Sequence, residues 1–63
     1  MKRILAHEIH YLDKVYKLSV ATIDGNRVVE IRPFEKETAS TIFIAGAVRL
    51  VPTPARVEII KVI

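Results

Sequence analysis

YKLSVATIDGNRVVEIRPF, residues 16–34, is the stretch whose reading decides the fold, because it holds two strand-like runs joined by a turn. Residues 15–23 are β-branched and apolar with polar residues interleaved. Asp24, Gly25 and Asn26 tolerate positive φ, and residues 27–32 resume the strand pattern, so the segment predicts a β-hairpin. In its first strand Tyr16, Leu18, Val20 and Thr22 share one face, the expected core face, while Val15, Lys17, Ser19, Ala21 and Ile23 share the other. In its second strand Val29 and Ile31 lie opposite Val28, Glu30 and Arg32. Pro33 lacks the amide proton a ladder needs, so it is expected to end the strand or mark an edge, with Phe34 folding back as an anchor.

Upstream, residues 2–12 place Ile4, Leu5, Ile9, Tyr11 and Leu12 at a spacing open to a short helix or a strand. Strand is favoured, because no capping residue or long helical period is present. Leu12, Asp13, Lys14 and Val15 then form the first reversal, pairing residues 2–12 with residues 15–23. Downstream, residues 35–40 are polar and predict an exposed connection with at most one helical turn. Ile42, Phe43 and Ile44 are consecutive and apolar, so that strand is expected to be covered on both faces. Gly46 and Ala47 predict a bend or bulge before Val48 and Leu50, and Pro52, Thr53 and Pro54 form a rigid break. Residues 56–63, RVEIIKVI, make a last strand that is apolar on both faces. The fold class that follows is all-β: a single domain over residues 1–63, with five or six strands in an antiparallel meander, barrel-like or half-sandwich, around the central Asp24-Gly25-Asn26 hairpin.

Composition sharpens this picture. A chain of 63 residues buries only about 60% of the surface its unfolded form exposes. It has no cysteine, hence no disulfide staple and no thiolate metal site. With an apolar share of 51%, there is more apolar surface than one small core covers. Homo-oligomerisation by strand pairing follows as the expectation, with Val57, Ile59, Ile60, Val62 and Ile63 as the interface residues. The formal charge of +3 comes from ten basic and seven acidic side chains spread along the chain, which favours solvated charges over a nucleic-acid face. If nucleic acid were bound on a small β-barrel, Lys14, Tyr16, Arg27 and Arg32 would make the contacts. Lys2 and Arg3 precede too short an apolar run for a signal peptide, and no run is long enough to span a bilayer, so the expected compartment is the cytoplasm.

Catalytic chemistry finds little support. His7, Glu8 and His10 form the one suggestive cluster, but on a strand residues three apart point to opposite faces, so only Glu8 and His10 share a side. A metal needs three or more convergent ligands. The lone Gly25 makes a turn and not a phosphate loop, and the isolated hydroxyls have no histidine context. The expectation is a non-enzyme with no cofactor and no metal.

Two segments carry a family resemblance: Ile23-Asp24-Gly25-Asn26-Arg27-Val28-Val29-Glu30-Ile31 and Gly46-Ala47-Val48-Arg49-Leu50-Val51-Pro52. In order and spacing they resemble the N-terminal β-segment of the metal-dependent amidohydrolase superfamily, where an I-x-D-G-R-I-V-x-I hairpin precedes G-x-x-V-x-P-G. Thr53 stands where that family has glycine, and the H-x-H metal motif of its barrel is absent. The resemblance implies an accessory β-segment without the catalytic barrel, similar to small bacterial β-proteins of that kind, and it carries over no functional residue.

Overall fold

The computed structural model describes residues 1–36 and 40–62. Five strands are present: β1 (Lys2–Tyr11), β2 (Lys14–Asp24), β3 (Arg27–Pro33), β4 (Thr41–Pro52) and β5 (Val57–Lys61). They form one sheet in the order β3-β2-β1-β4-β5, with no helix among the described residues. The all-β class is therefore observed, but the expected antiparallel meander is not. β1 pairs antiparallel with β2 and parallel with β4, so the sheet is mixed. The chain leaves β3 at one edge and re-enters the sheet as β4 on the far side of β1, which puts the amino-terminal strand at the centre. The hairpin of β2 and β3 forms the outer pair on one side, and it is not central. Of the expected connection over residues 35–40, residues 37–39 lie outside the described residues.

Both reversals have local causes. Tyr11 pairs with Lys14, leaving Leu12 and Asp13 to turn the chain, and Leu12 takes φ 57. Asp24 pairs with Arg27 across Gly25 and Asn26, where Gly25 supplies φ 62. Glycine adopts this conformation freely, whereas leucine does so at a cost of about 1 kcal/mol. Leu12 is also 80% exposed, so its side chain returns no packing. Leu12→Asn is expected to raise stability by about 0.5–1 kcal/mol, since asparagine accepts the left-handed region. A urea midpoint equal to or below that of the parent counts against this account of the turn.

One row of irregularities crosses the three central strands and sets which side chains face inward. The β1–β2 ladder runs through Ala6–Ser19, resumes at Glu8–Lys17 and skips His7 and Leu18. Leu18 has φ 41. The β1–β4 register steps by one residue between Ala6–Ile44 and Glu8–Ala47, with Gly46 at φ 92. β1 and β2 change phase there, whereas on β4 Ile44, Val48 and Leu50 keep one alternation across the bulge. On β1, Ile4 and Ala6 are buried, and then Ile9. On β2, Ser19, Ala21 and Ile23 are buried, and below the kink Tyr16 takes over. This reverses the expected core face of β2: alternation read straight through Leu18 assigns Val20 and Thr22 inward. A second slip between Thr22 and Ile23 leaves Val29 unpaired and 49% exposed, so Val28 and Ile31 face the core together.

The kink row is braced by hydrogen bonds. The Ser19 hydroxyl donates to the Lys17 carbonyl at 2.9 Å, and the Phe34 amide donates to the Leu18 carbonyl at 2.9 Å. On β1, the Gly46 amide donates to His7 Nδ1 at 2.9 Å, which fixes Nδ1 as the unprotonated nitrogen. Phe34 is half-buried and is held beside the kink by its backbone amide, and it is not among the side chains packed on the core.

A single sheet has no second layer to cover it, yet Ile4, Ile9 and Val48 are almost wholly buried. The sheet itself supplies the cover by bending across the kink row. Asn26, in the turn between β2 and β3, donates from Nδ2 to the Pro54 carbonyl at 3.3 Å. Those two turns sit at diagonally opposite corners, and a flat strand as long as β1 would hold them about 30 Å apart. Bending brings Ile4, Ala21 and Ile23 against Ile9, Val48, Leu50 and Val57, with Tyr11, Tyr16 and Ile59 at the margin. β3 and β5 do not pair, so the sheet stays open and does not close into a barrel.

Candidate association edges

The β5 side chains divide between the two faces of the sheet. Val57 is buried and Ile59 packs half-buried on the core, because Ile59 lies opposite Leu50 and Val57 opposite Pro52. Ile60 and Val62 remain exposed, at 46% and 38%. Ile63 lies outside the described residues. Of the five side chains expected at an interface, two therefore face the interior of the same molecule. The loop before β5 is closed by Thr53, whose hydroxyl donates to the Arg56 carbonyl at 2.6 Å and accepts from the Arg56 amide at 3.1 Å.

Exposed apolar surface is greater on β4. Ile42 and Phe43 are 52% and 54% exposed, on opposite faces of the strand. The expectation that residues 42–44 are covered on both faces is corrected here, and the ladder gives the reason. β5 pairs with β4 only from Val48 to Pro52, and the Val62 amide donates to the Ala47 carbonyl. Beyond that point, among the described residues, no strand lies along residues 41–46 on the side away from β1. Phe43 rests edge-on against the His7 ring, centroids 5.4 Å apart at 79°. Among the described residues β2 has a similar bare half-edge over residues 14–17, since β3 pairs only from Ser19 to Asp24 and the Phe34 amide reaches the Leu18 carbonyl.

The edges differ in how they are guarded. Strand edges resist unwanted pairing by charged side chains and proline. β3 carries Arg27, Glu30, Arg32 and Pro33, with Arg32 Nε 3.4 Å from Glu30 Oε2. β5 carries Glu58 and Lys61, and Arg56 reaches Glu58 at 3.8 Å. The bare half of β2 carries Lys14 and Lys17. Residues 41–46, TIFIAG, carry no charge and no proline.

The residues considered for nucleic acid are not brought together. Lys14 and Arg27 stand at opposite ends of the β2–β3 pair. Tyr16 packs on the core side, and Arg32 lies opposite Val20 on the outer face, beside Glu30. Glu8 and His10 do share a face, with His10 Nε2 3.2 Å from Glu8 Oε1. His7 is taken up by Gly46 and Phe43 in the kink row, and among the described residues no three potential ligands converge. No helix of the described residues is long and apolar enough to cross a membrane.

Fold and edges together define a small all-β domain of one open, mixed, five-stranded sheet. No family model matches the chain, and neither the curated proteins nor the solved structures hold a match to it. Residues 23–31 and 46–52, the two segments compared above with a family, fall on the β2–β3 hairpin and on β4, on either side of β1.

Proposed function

We propose that this protein is a non-catalytic structural or interaction module that works as a homo-oligomer, its copies joined by strand pairing. The observation that carries the reading is the balance of apolar side chains. Nine apolar residues are buried, three of them alanine, while nine large apolar side chains are exposed among the described residues. Monomers normally scatter exposed apolar groups, but here several sit along bare strand edges, where unpaired backbone groups also call for a partner strand. The two features have one common remedy, the addition of a strand. Backbone hydrogen bonds then supply affinity and the flanking side chains supply specificity.

The reading is tested by light scattering on the intact chain across a concentration series. Masses above the 7.1 kDa of one chain, rising with concentration, are the expected result. A mass of one chain throughout overturns it.

A further inference from the structure

Resting on the self-association reading, we propose that the joining edge is the bare half of β4, residues 41–46, and that its occupant is the same segment of a second copy, running antiparallel. Four observations converge on this segment. Among the described residues it is bare on its outer side, because β5 pairs with β4 only from Val48 to Pro52 and the Val62 amide reaches no further than Ala47. It exposes Ile42 on one face and Phe43 on the other, the pattern of a strand inside a sheet rather than at its rim. Unlike β3, β5 and the bare half of β2, it has no charged or proline guard. Among the described residues its outline is stepped: β4 projects past Val62, whose amide bonds the Ala47 carbonyl, and leaves a notch.

The step favours a second copy over an unrelated strand. A two-fold axis through the notch lays residues 41–46 of each copy along the other, with the end of each β5 abutting the partner's β4. The same patch serves both sides, as an isologous contact requires. Charge points the same way. Two molecules of charge +3 repel, and the contact that brings no like charges face to face is the uncharged one. β5 covers the rest of that edge, and the other open edges carry charged or proline guards, so association is expected to stop at two.

Area sets the strength. The lap is about 20 Å long at the rise of an extended chain. That places the interface at the small end of the specific range, below about 1,200 Å² in total. Backbone hydrogen bonds and the two apolar side chains carry it, and dimerisation is expected in the micromolar range.

The test compares the parent with Ile42→Lys, Phe43→Lys and Ile60→Lys by light scattering, each first shown to keep a β circular dichroism spectrum. The expected result is a dimer for the parent and for Ile60→Lys, with both β4 variants weakened at least about ten-fold, as a lysine guard on a pairing edge predicts. A parent that stays a single chain at millimolar concentration overturns the self-association reading and this inference with it. A dimer that survives both β4 substitutions, or is lost only in Ile60→Lys, leaves that reading standing and overturns the β4 assignment. Assemblies larger than two overturn the closed notch. If neither β4 variant folds, amide exchange of the parent decides. Protection of residues 41–46 that rises with concentration supports the proposal, and a rise confined to other edges overturns it.

Discussion

Replacing Ile9 by alanine is expected to unfold this protein at room temperature or leave it barely folded. Ile9 is fully buried in the second half of the central strand, paired with Tyr16 on one side and Val48 on the other. Removing its branched side chain costs about 2–5 kcal/mol, the larger values applying where the surroundings cannot collapse into the space. Collapse is hindered here because β1 is held on both sides by ladder hydrogen bonds. Stability of 0.05–0.15 kcal/mol per residue amounts to about 3–9 kcal/mol for this chain. The loss is therefore comparable with the whole. Urea unfolding followed by circular dichroism measures it, and Val29→Ala on the exposed bulge of β3 is the control, expected to shift stability by no more than about 0.5 kcal/mol. Comparable losses at both positions would mean that the core is not where the fold places it.

The second large effect is expected at Gly46. Its φ of 92 is reached where β4 gains a residue relative to β1, and its amide donates to His7 Nδ1. A β-branched residue is strongly disfavoured at such an angle. Gly46→Val is expected to cost about 2 kcal/mol from backbone strain, and the hydrogen bond to His7 breaks as the backbone shifts. Gly25 offers the comparison: φ is 62, and an added Cβ meets nothing within 4 Å. Gly25→Ala should therefore cost only the conformational penalty, about 1 kcal/mol. The two positions are distinguished by His7. In Gly46→Val the ring resonances of His7 should move, and in Gly25→Ala they should not. Equal losses with an undisturbed His7 would remove the kink row as a structural device.

That row also explains which parts of the fold are legible in the sequence. The strands are: β-branched content, the turn residues at 12–13 and 24–26, the stop at Pro33 and the bulge near Gly46 all follow from local chemistry. The core face of β2 is not, because Leu18 adopts a left-handed φ that no propensity assigns to leucine. One such residue inverts the phase of everything beyond it. The parallel pairing of β1 with β4 is equally hidden, since a crossover between distant strands leaves no periodic trace. At the candidate edge, the apolar run 42–44 stands out as unusual, and its composition alone implies cover on both faces. Its exposure depends on where β5 stops pairing, a fact about registers of distant segments.

By itself, then, the sequence determined that this is a small all-β chain, where its reversals fall, and that its apolar content exceeds what one core hides. These depend on side-chain type and on neighbours within a few residues. Only the tertiary structure decided that β1 lies at the centre, which faces turn inward, and that, among the described residues, the uncharged bare half-edge lies on β4. Each of those depends on hydrogen-bonded registers between segments far apart in the chain, and a shift of one residue exchanges the two faces of a strand.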